Sequence, residues 1–363
     1  MRALVCIRPG ELEYQEKDAP LARPGQAILK IRRVGICGTD LHAFEGTQPF
    51  FDYPRVPGHE LAGDLIDLDL ESAASEKGRY RAGSMDAGLQ PERPHGFIPG
   101  EAVTIIPYFN CGHCIACRTG KPNCCTTMNV CGVHSDGGMV DYLSVPSSSL
   151  VHGNGLNYDE LALVEPLAIG AHAVRRAAVE KEEFVLVVGM GPIGLGVLES
   201  ARIAGAQVIA MDVNTDRLNF CRKALQVLHT IDAAGTAVSD IAGQLAEITR
   251  GDMPTVVFDA TGSRSAINNA FYYMAHGGRY VLVGLQKGEV CFSHPEFHKR
   301  EGTLMSSRNA TREDFDRVMD SIKKGLIDPT AYITHRVAFG QVKNEFAGWL
   351  DPAAGVIKAM VEM

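Results

Sequence analysis

Two textures of apolar and polar residues divide the chain. Over the first 150 residues, QAILKIRRVGIC, HELAGDLIDLDL, AVTIIPY and DYLSVP are short, rich in β-branched residues and bounded by turn formers. That pattern predicts short strands cut by Gly and Pro. From about residue 160 the order becomes strand FVLVVG, helix PIGLGVLESARIAG, strand AQVIAMD and helix TDRLNFCRKALQVL. The helical IAGQLAEITR, strand TVVFDATG, helix SAINNAFYYMA and strand GRYVLVGL follow. Near-continuous apolar strands alternating with helices predict a parallel sheet covered on both faces. After about residue 300 the pattern is irregular, with TLMSSR and ITHRVAF as strands around a helix at 311–324. The expected class is α/β. A β-rich domain over 1–153 is completed by a return segment over 301–363, with an α/β domain over 154–300 between them. The segment from about 70 to 99, in ESAASEKGRYRAGSMDAGLQPERPHGFIPG, lacks periodicity and reads as an exposed insertion.

Composition narrows the class of function. The chain has 363 residues, 45% hydrophobic and 21% charged, and a net charge of −8. Two domains are the default at that length. No Lys/Arg run is present, which argues against a nucleic-acid partner. No stretch of eighteen apolar residues is present, so no membrane span is expected. The N-terminal MRALVCIRPGELEYQEK lacks the apolar centre of an export signal, which points to the cytoplasm. Thiols stay reduced there, so clustered cysteines are more readily metal ligands than disulfides.

VLVVGMGPIG places Gly189, Gly191 and Gly194 between a strand and a helix that Pro192 and Ile193 open. The first glycine permits the tight turn, the second lets backbone approach a pyrophosphate, and the third lets the helix pack against the sheet. The helix N-terminus supplies amide donors to the phosphate. The next strand ends at Asp212, eighteen residues after Gly194. A carboxylate there accepts hydrogen bonds from ribose hydroxyls and repels a 2′-phosphate, so the expected cofactor is NAD. Arg217 is the counter-signal, because a nearby Arg can accommodate NADP.

NCGHCIACRTGKPNCC holds five cysteines. Cys111, Cys114, Cys117 and one of Cys124 or Cys125 can converge on a tetrahedral Zn²⁺. A redox pair would sit at the head of a helix in a βαβ setting, whereas this is a Gly/Pro/Asn loop. An iron–sulfur spacing is not matched. Four thiolates leave no open position, so this metal would be structural. GICGTDLH and PGHE form a second constellation, in which Cys37, His59 and a carboxylate would make an open, catalytic zinc site. On its own, a Cys and a His twenty-two residues apart reads as readily as two buried side chains.

VGICGTDLH, YPRVPGHE, CGHCIACRTGKPNCC, DGGMVDYLSVP, EPLAIGAHAV and VVGMGPIGL together resemble the zinc-dependent medium-chain dehydrogenases, over essentially the whole chain. The sorbitol/threonine dehydrogenase branch is the most similar. Within it, GTQPFFDYPRVPGHE, GVHSDGG, AHAVRRAA, HPEFHKRE and SSRNAT resemble sugar-acid dehydrogenases of the L-galactonate 5-dehydrogenase type. The resemblance implies a GroES-like β-rich catalytic domain and a Rossmann doubly wound domain. It implies two zinc ions per chain: a structural one on Cys111, Cys114, Cys117 and Cys125, and a catalytic one on Cys37 and His59. Glu60 or Glu165 would be the third catalytic ligand. It also implies Thr39 as the hydroxyl that takes the substrate proton and His42 as the outer end of the relay. Asp40 would orient His59.

The expected reaction is NAD-linked oxidation of a secondary alcohol in a polyol or sugar acid, with a neutral alditol or L-threonine-type substrate as the alternative. Arg308 corresponds to a substrate position in this branch and could pair with Glu165 or hold a carboxylate. Phe50, Phe51, Tyr53, His134 and Lys299 are further candidates. A nucleotide-responsive regulatory protein is the alternative of another class, and it would have no reason to keep Cys37, Thr39, His42, His59, Glu60 and Glu165 together. A homodimer or homotetramer is expected, paired through GRYVLVGL and the segment after it.

Overall fold

Residues 1–21, 23–68 and 96–363 are described by a computed structural model. The insertion expected over 70–99 lies outside the described residues apart from 96–99. Two compact units divide the chain: Met1–Gly120 with Cys125–Val164 and Ile333–Met363, and Lys121–Cys124 with Glu165–Tyr332.

The first unit opens with a hairpin of β1 (Arg2–Arg8) and β2 (Glu11–Glu16). Its main sheet uses β3 (Gln26–Ile36), β4 (Glu60–Leu68), β5 (Ala102–Ile105), β8 (Tyr142–Pro146) and β9 (Leu150–His152). From the far end of the chain come β16 (Ile333–Ala338) and β17 (Lys358–Glu362). The order is β16-β17-β3-β4-β5-β9, with β8 also paired to β3. The antiparallel register sets Gly35 of β3 opposite Glu60 of β4, and Ala359 of β17 opposite Ile36. Leu29, Ile31, Val34, Leu61, Leu65, Val103, Phe346 and Trp349 fill the core. A small ladder of β6 (Tyr108–Phe109) and β7 (Asn129–Val130) closes the base of the cysteine loop.

The second unit is a six-stranded parallel sheet of β10 (Phe184–Val188), β11 (Gln207–Asp212), β12 (His229–Asp232), β13 (Val256–Asp259), β14 (Arg279–Leu282) and β15 (Thr303–Ser306). Its order, β12-β11-β10-β13-β14-β15, reverses between β10 and β13. In such sheets ligands sit beyond the carboxyl ends of the strands at that reversal. β10 and β13 are apolar almost throughout because neighbours cover both faces. The boundary expected at residue 300 moves to Tyr332, since β15 adds to the parallel sheet beside β14 and the helix Arg312–Lys323 goes with it. As an edge strand with exposed side chains, β15 carries no apolar run to announce it. Among the described residues, no helix is long and apolar enough to cross a membrane.

Candidate active site and metal centres

In the first unit, β3 delivers Cys37 to the N-cap of the helix Gly38–Glu45, and β4 begins at Glu60 directly after His59. The Cys37 thiol, the His59 ring and the Glu60 carboxylate each offer an atom within 4.8 Å of the others. Thiolate, imidazole and carboxylate are donors that suit zinc. Asp40, buried, accepts the Cys37 amide at 2.9 Å and the Gly58 amide at 2.9 Å. Its oxygen is 3.8 Å from His59 Nδ1, outside hydrogen-bonding range. Asp40 therefore fixes both ligand-bearing loops through their backbones, with its carboxylate beside the His59 ring. The GVHSDGG loop backs the same place. Gly137 and Gly138 donate their amides to Val56 and Gly58 carbonyls at 2.8 Å, and Asp136 accepts the Val56 amide at 3.0 Å.

Sequence reasoning missed Lys358. This lysine opens β17, is 1% exposed, and places Nζ 2.5 and 2.6 Å from the two oxygens of the fully buried Glu60. It also donates to the Ile36 carbonyl at 3.1 Å. Gly35 makes the room, because a methyl group there would lie 2.1 Å from Glu60 Oε2. The one signal was a single cation inside the apolar GVIKAMV. Thr39 is half-buried on the same helix as His42, which is exposed with Nδ1 3.1 Å from Glu45 Oε2. Phe51 and Tyr53 meet edge to face, with ring centroids 5.0 Å apart, and Phe51 is buried in the core. Phe50 is 55% exposed and stacks on His134. Lys299 pairs with Glu296 on the surface.

The loop at 111–125 gathers Cys111, Cys114, Cys117 and Cys125, with sulfur atoms all within 4.8 Å of one another. Cys124 is exposed and outside the group. Amides of Cys111 and Cys114 point at the sulfurs of Cys125 and Cys111 at 3.3 and 3.4 Å. The Cys117 amide, with that of Thr126, holds the Cys114 thiol down at about 5. The His113 and Cys114 amides hold Cys111 down at about 7, while desolvation raises Cys117. An array of amide donors around four sulfurs suits thiolates on a tetrahedral metal.

In the second unit, Gly189 ends β10 with φ 93°, Gly191 is the N-cap of Pro192–Ile203, and Pro192 and Ile193 form its first turn. A methyl group on Gly194 would lie 1.7 Å from the Gly189 carbonyl oxygen, so helix and turn touch there. At Gly191, by contrast, such a methyl would meet Arg217 Nη1 at 3.9 Å and, chain neighbours aside, no other atom of the described residues within 4 Å. Open space at the middle glycine and tight packing at the third suit a pyrophosphate lying against the turn. Asp212 is buried, and its oxygens accept the Met190 amide at 2.5 Å and the Asn214 amide at 2.8 Å. Glu165 is buried in the first turn of the helix Val164–Arg176. Arg308 follows β15 and is exposed, with no hydrogen bond or ion pair to its guanidinium among the described residues.

Comparison with known proteins gives the family of both parts of the chain. Residues 23–154 match the alcohol dehydrogenase GroES-like domain, and residues 192–324 match the zinc-binding dehydrogenase family. L-galactonate-5-dehydrogenase of Escherichia coli K12 is 41% identical over 346 residues, which cover 95% of this chain and 94% of that protein. The chain belongs to the zinc-binding alcohol dehydrogenase family. It is an oxidoreductase with a GroES-like domain and a Rossmann domain, built for zinc and a nicotinamide dinucleotide. An alcohol dehydrogenase (RspB) from Escherichia coli CFT073, solved with NADH, superposes with a TM-score of 0.86 at 27% identity, covering 100% of this chain and 99% of that one. A zinc-binding dehydrogenase from Sinorhizobium meliloti 1021, solved with NADP, gives 0.84 at 25% identity over 100% and 99%.

Proposed function

We propose that this dehydrogenase oxidises a secondary hydroxyl of a sugar acid of the L-galactonate kind to the ketone, with NAD as acceptor. The observation that carries the reading is the Cys37–His59–Glu60 group in a chain 41% identical to an L-galactonate-5-dehydrogenase. The exposed guanidinium of Arg308 supports an acid over a neutral alditol, since its planar fork matches a carboxylate. Cys37, His59 and Glu60 or Glu165 would hold a zinc ion that would supply a Lewis acid toward the substrate hydroxyl, and NAD would supply the hydride acceptor. The remaining work falls to the chain. Asp40 holds the Cys37 and His59 loops in one geometry, and Thr39 takes the hydroxyl proton toward His42 and solvent. Lys358 balances the charge of Glu60. Gly189, Gly191, Pro192, Ile193 and Gly194 cradle the pyrophosphate, and Asp212 faces the adenosine ribose. Arg217, beside Gly191, neutralises phosphate charge. Cys111, Cys114, Cys117 and Cys125 hold a structural zinc.

The chain works in the cytoplasm as a homodimer or homotetramer. Support comes from the edge strand β15, paired on one side only, and the exposed Leu285 and Phe292 near it in sequence. The test is NADH production from L-galactonate and from galactitol by protein assayed for zinc. Two zinc ions per chain and a preference for the acid are expected, and Cys37→Ser should abolish turnover while NADH still binds. Near-normal activity in that variant, or no reduction of NAD with the acid, would refute the reading.

A further inference from the structure

Three of the segments that carry the resemblance, KPNCC, AHAVRR and SSRNAT, contribute residues with no part in the chemistry above. The second unit nevertheless joins one side chain from each. Asn123 is buried; its Nδ2 donates to the Arg308 backbone carbonyl at 3.0 Å, and its backbone carbonyl accepts from Asn309 Nδ2 at 3.2 Å. Asn123 Nδ2 also lies 3.2 Å from His172 Nε2, and His172 Nδ1 lies 2.8 Å from Asp314 Oδ2. An amide NH₂ only donates, so His172 Nε2 accepts from Asn123, and Nδ1 faces Asp314 Oδ2 with Arg175 Nη2 beside it at 3.1 Å. Asp314 further accepts from Arg175 Nε at 2.7 Å and from the Thr311 amide and hydroxyl at 2.9 and 2.7 Å.

A buried polar chain thus runs from Asp314 through His172 to Asn123 and ends on the backbone of a single turn. Arg176 pins the near flank of that turn through the Ser306 carbonyl at 2.6 Å. Asn309 sits at φ 56°, a left-handed conformation that a non-glycine residue keeps when its surroundings hold it. Arg308 lies between these fixed points with its side chain exposed.

We propose that Asn123 is a positioning residue, whose side-chain bond to the Arg308 carbonyl fixes the turn that aims the Arg308 guanidinium at the substrate carboxylate. The proposal rests on the assignment of Arg308 to the sugar-acid carboxylate made above. A guanidinium fork gains its bidentate bonds only when it arrives aligned. If the turn is loose, the cost of ordering it falls on binding, so the effect is on affinity for an anion and not on hydride transfer.

Asn123→Ala and Asn123→Asp, each in the zinc-loaded full chain, test this. The KM for L-galactonate should rise about five- to tenfold with kcat changed by less than about twofold, as for the loss of one or two buried hydrogen bonds. The KM for galactitol, which lacks the carboxylate, should not move. Amide hydrogens over 305–311 should exchange faster, with zinc content and NADH affinity as in the parent. An equal KM rise for both substrates, or unchanged exchange over 305–311, overturns the proposal. Arg308→Ala separates the two readings. If it leaves the KM for L-galactonate unchanged, the carboxylate assignment fails and the proposal with it. If it raises that KM while Asn123→Ala does not, the role of Asn123 alone is overturned.

Discussion

Lys358→Met isolates the buried ion pair behind the candidate catalytic centre. Lys358 and Glu60 are 1% and 0% exposed, and one ammonium faces both carboxylate oxygens at 2.5 and 2.6 Å. Compared with an apolar pair of the same volume, such a bridge contributes little net stability. Removing one partner, however, leaves a buried charge uncompensated, at a cost of about 3–5 kcal/mol. Methionine keeps most of the stem, so packing loss stays small beside that term. Trp349, the only tryptophan, is buried in the same unit as Glu60, and its fluorescence follows guanidinium unfolding of that unit. In chelator-treated protein the variant should lose about 3–5 kcal/mol, and Lys358→Met with Glu60→Gln should recover about half or more of it. With zinc restored the loss should shrink, because the released carboxylate can turn to the metal. A loss under about 1 kcal/mol in the zinc-free single variant, or a double variant as unstable as the sum of the two singles, would refute the reasoning.

Cys124→Ser should keep both zinc ions and Cys125→Ser should lose one, read by metal analysis of the purified chains, because only Cys125 joins the other three sulfurs. Gly194→Ala should abolish NADH binding or prevent folding, since its methyl would sit 1.7 Å from the Gly189 carbonyl oxygen; unchanged titration of NADH fluorescence would contradict the packing. Burial raises the Asp259 carboxyl from 3.8 to about 6. The folded state then holds that proton more tightly than the unfolded chain, so this site loses stability as pH rises from about 4 to 6. Asp259→Asn keeps an acceptor for the Thr261 and Gly262 amides, so it should stabilise the protein at pH 7 and flatten that interval in unfolding titrations.

Local sequence carried the features whose physics is local. The glycines of VVGMGPIG each answer a constraint within one strand-to-helix turn, and the cysteines of the 111–125 loop are close enough for chain geometry to bring their sulfurs together. Apolar strands covered on both faces announced the parallel sheet. Where the pattern is weak the sequence says less: β15, an exposed edge strand, carries no apolar run to mark its place in the parallel sheet. Contacts distant in sequence were beyond reach. Lys358 meets Glu60 because β17 pairs with β3 and β3 with β4, a register set by the whole sheet. Asn123 reaches His172 and Arg308 only after the parallel sheet has brought its helices and turns together. Motif spacing names the groups that can do chemistry. Charge balance around a buried carboxylate, and the aim of an arginine on its turn, are decided by strand order and register, which no local run of residues encodes.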